Sequence, residues 1–409
     1  MSIDLRWVGE EDYDRVAQTR MRCFAHAASE LERFRETVRL DPRVEPGDVL
    51  LAEQNGQGVG TSAVLPLTMW VRGGEVACQG VSWVGTIKTH RRRCAGGDGI
   101  ATRIMRETLR RGRERQQVVS ALMPFRASFY EHFGYGLVER RNEWTLPLSA
   151  LPSGPTESMR FCIPHDIPEL VQLRKRMAGR GQCDIERAAK VWEFLIKRAE
   201  AGFFMVDQPR AGGPIRGFIW IERTQAGTKD HLHVMDNGYD SVVELKRQLH
   251  FLASLRDQYA AAIITLPTDL PLHWLLRETQ IPHRPVNHAA ADLRQFTRMQ
   301  LRVLDHKRLL EAMHLPPDRR GRAAVAVQEC DGETSQFAVD ISDGRAIVTS
   351  TSDAPQFVCP DRVWAAVVCG ELLGTRAAEL GMASCRDAGA ARLLDIFSAG
   401  PAPFCREYF

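Results

Sequence analysis

The stretch from Gly80 to Ala101 has residue types that could hold a phosphate chain. Val81–Thr86 reads as a strand. Thr89-His90-Arg91-Arg92-Arg93 follows, then Cys94-Ala95-Gly96-Gly97-Asp98-Gly99, then a helical stripe. Glycines let backbone N–H groups converge without a Cβ clash, a helix start favours negative charge, and arginines fork onto phosphate oxygens. Strand, basic residues, glycines and helix in that order suggest an anion cradle. The plainer alternative is a solvated turn capped by Asp98. A second stretch, Phe129-Tyr130-Glu131-His132-Phe133-Gly134-Tyr135-Gly136, follows some way on. Read alone it is core, with one tyrosine able to form the polar edge of a pocket. His231-Leu232-His233 puts two histidines on one strand face. No third ligand is evident nearby, so a structural role is the better reading and no metal is expected. The basic run Arg103–Arg115 is interrupted by Glu107 and Glu114 and reads as a solvated face.

These segments need elements to position them. Leu5–Val8 is a strand candidate, and Glu11–Arg22 is a helix with acidic residues in its first turn. Val49–Glu53, Gly58–Met69 and Glu75–Ile87 read as strands. From Gly99 the period changes: Ile100, Ala101, Ile104, Met105, Thr108 and Leu109 form one apolar helical stripe. Val118–Leu122 reads as a strand, Arg126–His132 as a short helix, and Leu146–Pro155, with three prolines, as a linker. The opening then echoes itself. Asp12, Gln18, Arg20 and Arg22 recur 154 residues later as Asp166, Gln172, Arg174 and Arg176, with Val16 matched by Leu170. The second copy would hold Arg216–Arg223, His231–Asp236, a helix from Ser241 to Gln258 and the strand Ala261–Leu266. Its counterpart to the cradle, Val234–Tyr239, has no arginine and one glycine, so no cofactor is expected there. From about Leu293 a block of short strands precedes helices, an α+β order.

Composition bounds the function. The 409 residues are 44% apolar and 26% charged, with net charge +3. This excludes a disordered chain and does not announce a nucleic-acid binder. Seven Lys against 47 Arg reads mainly as codon bias. No apolar run is long enough to cross a bilayer, and no signal peptide is evident, so no membrane partner is expected. Ten scattered cysteines without a C-x-x-C pattern read as reduced thiols in a cytoplasmic protein.

The segments 89–93 and 129–136, taken together, resemble the GNAT superfamily of N-acetyltransferases, and more narrowly the Eis-like (enhanced intracellular survival) acetyltransferases. The resemblance implies an α/β and α+β chain: tandem GNAT-like mixed-sheet domains followed by a sterol-carrier-protein-like α+β domain. The implied boundaries are 1–150, catalytic; 151–290, a degenerate second copy; and 291–409, carrying the terminal carboxylate. It implies acetyl-CoA as acyl donor. Pantetheine would lie on the backbone of Val84, Gly85, Thr86 and Ile87. The pyrophosphate would lie on Arg91, Arg92, Arg93, Gly96, Gly97 and Gly99 and the helix start Ile100-Ala101. The superfamily pattern R/Q-x-x-G-x-G/A fits no register here, and Cys94–Asp98 stands as an insertion between Arg93 and Gly99. The family's general acid maps to Tyr130 and its base to the carboxylate of Phe409.

The chemistry is consistent with that mapping. A primary amine is mostly charged at neutral pH and must lose a proton to attack; a tyrosine can share its proton with a leaving thiolate. The acceptor implied by the resemblance is a small-molecule amine, polycationic or an antibiotic-like natural product. His26, Glu30 and Glu407 are the residues expected to line its pocket. A homo-oligomer, a hexamer, is also implied. Two rivals stay open: a protein lysine acceptor, and a non-catalytic GNAT acting as a binding or assembly module.

Overall fold

The structure is a computed structural model and describes residues 3–25, 27–91, 98–198, 203–226, 229–281, 283–284 and 288–409. The chain divides into two compact units. One comprises Met1–Val138, Met299–Ala399 and Tyr408–Phe409; the other comprises Glu139–Arg298 and Gly400–Glu407.

The first unit opens with β1 (Asp4–Val8), α1 (Tyr13–Phe24), α2 (Leu31–Leu40) and the strands β2 (Val49–Gln54), β3 (Gln57–Val71) and β4 (Gly74–Thr86). Asn55-Gly56 closes the β2–β3 hairpin with both residues at positive φ, which matches the right-handed strand twist. Next come α3 (Ile100–Glu114), β5 (Val119–Leu122), α4 (Ala127–Glu131) and β6 (Gly136–Leu137). On α3 the expected stripe is the buried face at Ile100, Ile104, Met105, Thr108 and Leu109, joined by Gly112, while Ala101 is half-buried. A Cβ on Gly112 would stand 2.6 Å from Nε2 of Gln79, so glycine is what lets the helix lie this close to β4.

The second unit holds β7 (Arg140–Pro147), β8 (Met159–Phe161), α5 (Ile167–Arg180), β9 (Asp184–Ile185), α6 (Ala189–Arg198), β10 (Phe203–Asp207), β11 (Gly217–Ala226), β12 (Lys229–Tyr239), α7 (Val242–Ser254), β13 (Ala261–Pro267) and β14 (Asp292–Thr297). Its seven-stranded sheet runs β14-β7-β13-β12-β11-β10-β8. Among the described residues, the only parallel pair in that order is β12–β13. Leu146, Leu148 and Leu151 are buried in its core, so the proline-rich stretch expected as a linker begins as the end of a strand. Val234–Tyr239, the expected counterpart of the cradle, lies inside β12.

The chain then returns to the first unit with β15 (Gln300–Val303) and α8 (His306–Ala312). These are followed by β16 (Gly321–Gln328), β17 (Thr334–Ser342), β18 (Arg345–Ser350), β19 (Phe357–Pro360), α9 (Asp361–Val368), α10 (Gly374–Glu379), β20 (Ser384–Cys385) and α11 (Ala388–Leu394). β15 completes the first sheet, whose order is β1-β2-β3-β4-β5-β15-β6. A separate five-stranded sheet runs β18-β17-β16-β19-β20. It packs on α9, where Val363, Trp364, Val367 and Val368 are buried, each contributing about 1.5–3 kcal/mol.

The two larger sheets have matching order and sense. In each, the strand next to the edge at the far end comes from the segment following the other copy: β7 pairs in the second sheet and β15 in the first. The expected boundaries at 150 and 290 therefore do not coincide with the units. Strand 140–147 lies before the first boundary yet joins the second sheet, and strand 300–303 lies after the second boundary yet joins the first. The 154-residue echo is visible in three dimensions. A 3-10 turn at Glu10–Asp12 leads into α1, and its counterpart at Pro164–Asp166 leads into α5. Arg6 forks onto Asp12 as Arg160 forks onto Asp166, each pair also 154 residues apart.

Candidate active site

β4 and β5 pair in parallel only over Cys78–Gly80 and Val119–Ala121. Beyond Gly80, β4 continues to Thr86 with β3 on one side, and the β5 side has no ladder among the described residues. Polar backbone groups in such a gap seek a partner. The β3–β4 register also slips by one residue: Thr61 faces Gly85 while Ala63 faces Ser82. Trp83 sits in this bulge at φ 58°, in the left-handed region. A tryptophan held there inside a strand is backbone strain, of the kind found near functional sites.

Of the expected pantetheine strand, Val84 and Gly85 are half-buried and Thr86 and Ile87 are buried. Ile87 N–H donates to the Val59 carbonyl at 3.0 Å, fixing the end of the strand. A Cβ on Gly85 would stand 2.6 Å from Cζ of Phe24 and 2.9 Å from Cβ of Cys23. Beneath the fork runs a buried polar chain. Tyr135 Oη and Ser120 Oγ lie 2.6 Å apart, Ser120 donates to Gln79 at 2.7 Å, and Gln79 donates to the Thr108 carbonyl at 2.7 Å.

At the turn, Arg91 is exposed and donates to the carbonyls of Cys23 at 3.1 Å and Thr86 at 3.4 Å. Arg92, Arg93, Gly96 and Gly97 lie outside the described residues. Asp98 is ion-paired with Arg106. Gly99 is the extended residue before α3, with nothing near its Cβ position; Ile100 is buried and Ala101 half-buried. The arginines of α3 are largely engaged, Arg110 with Glu107 and Glu114, and Arg111 over Trp7 at 5.1 Å.

Tyr130 is buried, 4% exposed, in one cluster with Val81, Met105, Leu109, Leu122, Phe133 and Tyr135. The rings of Phe125, Phe129 and Tyr135 lie 5.0–6.1 Å away. Burial pushes its phenol above the ordinary value of 10. The turn after it depends on Gly134, at φ 79°, whose Cβ would meet Asp361 at 2.3 Å. Arg302 locks the same turn by donating to the Phe133 carbonyl at 2.6 Å.

The last residues divide. In the second unit, Phe404 N–H donates to the Gln182 carbonyl, Cys405 N–H to Glu139, and Arg406 N–H to Asp184, at 2.8–2.9 Å. Glu407, expected in the acceptor pocket, is 4% exposed and accepts from Arg187 at 2.7 Å in that unit. Tyr408 and Phe409 belong to the first unit. Arg43 donates to the Tyr408 carbonyl. The Phe409 ring is 7% exposed and lies 3.2 Å from where a Gly80 Cβ would be, at the point where β4 and β5 part.

Of the remaining pocket candidates, His26 lies outside the described residues. Glu30 accepts from the Ala27 N–H at 3.1 Å. Sequence reasoning missed Trp83 and the residue stacked on it. The guanidinium carbon of Arg20 lies 3.7 Å from the centre of the Trp83 ring. The available signal was Arg20 itself, one of the four identities in the internal echo.

The described geometry can be set beside known proteins. Residues 4–138 match the acetyltransferase (GNAT) domain family. An uncharacterized N-acetyltransferase of Streptomyces avermitilis is 25% identical over 403 residues, 92% of this chain and 91% of that protein. One from Streptomyces coelicolor is 29% identical over 242 residues, 53% of this chain and 55% of that protein. Among solved structures, a GCN5-related N-acetyltransferase from Anabaena variabilis superposes with TM-score 0.84 at 18% identity, over all of both chains. Eis1 from Mycobacterium abscessus superposes with TM-score 0.78 at 19% identity, also over all of both chains.

Proposed function

Residues 4–138 are a GNAT acetyltransferase domain and the chain is an acetyltransferase enzyme; from that premise we propose that it transfers acetyl from acetyl-CoA to a primary amine of a small molecule. One observation carries the reading. β4 and β5 part after Gly80 and Ala121, and two groups flank the opening: the Phe409 ring against Gly80, and Tyr130 packed with Val81 and Leu122. The open edge of Val84–Thr86 would hold the pantetheine, and Gly99–Ala101 at the start of α3 would favour the pyrophosphate.

The amine attacks the acetyl carbonyl, a C–N bond forms and the C–S bond breaks. Tyr130, kept protonated by burial, offers its proton to the departing sulfur. The Phe409 carboxylate takes the proton that the amine must lose. Its anchoring is consistent with that role, because a buried ring and the Arg43 contact would hold the charge in one place. The same reading includes a sterol-carrier-like role for the five-stranded layer and a homo-oligomeric assembly in the cytoplasm.

Free-thiol release from acetyl-CoA across a panel of amines tests the proposal. Amine-dependent release, with the purified chain stabilised thermally by acetyl-CoA, is the expected result. Absence of both would overturn it.

A further inference from the structure

The site contains a buried cation that is hydrogen-bonded to no carboxylate among the described residues. Arg20 is 7% exposed, yet its Nε and Nη1 have no hydrogen-bond partner among the described residues. Its contacts are the Trp83 ring at 3.7 Å and the Phe34 ring at 5.5 Å. The carboxylate that acts on it, Asp41, is taken by Arg43, which holds both carboxylate oxygens at 2.9 Å. Burying a guanidinium without an acceptor is costly, and here burial pulls its pKa down to about 9. Near pH 7 the group still carries its charge.

The internal repeat indicates what such a position needs. Arg174, the counterpart of Arg20, is fully buried and forks onto Asp184 through two 2.6 Å bonds. The same shift of 154 residues places Glu30 opposite Asp184. Glu30 instead accepts from the Ala27 N–H and lies 3.8 Å from Arg33. The second unit supplies a carboxylate to its arginine, and among the described residues the first does not.

Charge around the end of α1 points the same way. Arg91, Arg20 and Lys88 all act on Cys23, and Lys88 and Arg91 hold the carbonyls of Ala25 and Cys23. Trp83 is half-buried, and Phe24, one helical turn beyond Arg20, is 41% exposed.

We propose that Arg20 receives a carboxylate of the acceptor, so that the acceptor is an amino acid or a related amine bearing a carboxylate, rather than a polycation. The inference rests on the acetyl-transfer reading and names its substrate class. Arginine suits the task because its planar fork matches a carboxylate bidentately, and the Trp83 face fixes the plane of that fork.

The experiment compares amino acids with their own carboxamides, alongside spermidine, as acceptors for the full chain with acetyl-CoA. Each pair shares its amine and differs in the negative charge. A charge-assisted bond to a buried guanidinium should favour the acid at least about tenfold in kcat/KM. Arg20→Met should abolish the acid-over-amide ratio while KM for acetyl-CoA stays unchanged; Arg20→Lys, which keeps the charge but loses the fork, should retain part of it. Thermal stabilisation by the same acids and amides, in the presence of CoA, reads binding without turnover. Carboxamides or spermidine used as well as the acids would overturn the proposal and leave acetyl transfer standing. So would equal stabilisation by acid and amide. No stabilisation by acetyl-CoA and no thiol release with any amine would instead overturn the acetyl-transfer reading.

Discussion

Replacing Tyr130 with phenylalanine separates a catalytic proton from a packed ring. The ring is held by Phe125, Phe129 and Tyr135 at centroid distances of 5.8, 5.0 and 6.1 Å, and all three contacts survive the change. Only the hydroxyl is lost, so stability should change by less than about 1 kcal/mol. General acid catalysis contributes about 10²–10⁴-fold, or about 2.7–5.4 kcal/mol of barrier at 1.36 kcal/mol per decade. Because burial raises the phenol's pKa, Tyr130 is protonated throughout the neutral range, and its loss should depress kcat across that range. The assay is thiol release at saturating amine, read with thermal unfolding and the KM for acetyl-CoA. The expected pattern is kcat down at least a hundredfold with melting temperature and KM unchanged. A kcat within threefold of wild type would make Tyr130 a core residue and refute the assignment.

Adding one alanine after Phe409 moves the carboxylate on by about 3.3–3.6 Å and leaves an amide in its place. Turnover should fall about a hundredfold or more at unchanged melting temperature, and equal rates for chains extended at either end would remove the carboxylate from the mechanism. Gly85→Ala would drive a methyl to within 2.6 Å of Phe24 and should raise KM for acetyl-CoA about tenfold, as titration of initial rates would report. Asp184→Asn breaks a fully buried pair with Arg174 and should destabilise the second unit by about 3–5 kcal/mol in denaturant unfolding. Arg174 and Arg406 hold the Asp184 carboxyl down at about 2, against about 3.9 when unfolded. Its stabilisation is therefore complete above pH 4 and lost as pH falls toward 2, and wild type should lose more stability over that window than the variant.

Much of the first unit was legible because periodicity records burial. The stripe on α3, the strands up to Thr86 and the start of the repeat all follow from which residues are apolar and how they are spaced. Partner choice leaves no such record. Strand 140–147 alternates Trp144 and Leu146 inward as it would in either sheet, so nothing local assigns it to the second. The bulge at Trp83 was hidden because a left-handed residue inside a strand usually announces itself as glycine, and here it is tryptophan. Glu407 looked available as a pocket acid because its partner, Arg187, is 220 residues away in sequence. Arg20 was noticed as half of a repeat, but the meaning of the pair lay in the difference between its two environments.

The exchange of β7 and β15 also sets a schedule for the nascent chain. β6 ends at Leu137, but the strand that must lie between it and β5 begins at Gln300. At about 5–20 residues per second, ribosomes need roughly 8–30 s to make the 162 residues between those points. Throughout that interval Val119–Leu122, fully apolar apart from Ser120, is a bare sheet edge, the kind of surface that pairs with other chains. A fragment ending near residue 150 keeps that edge permanently. The enzyme domain is thus not an independent cassette: shuffling or truncating genes at its apparent boundary discards a strand that the domain itself needs, a constraint under which both halves would have to be inherited together.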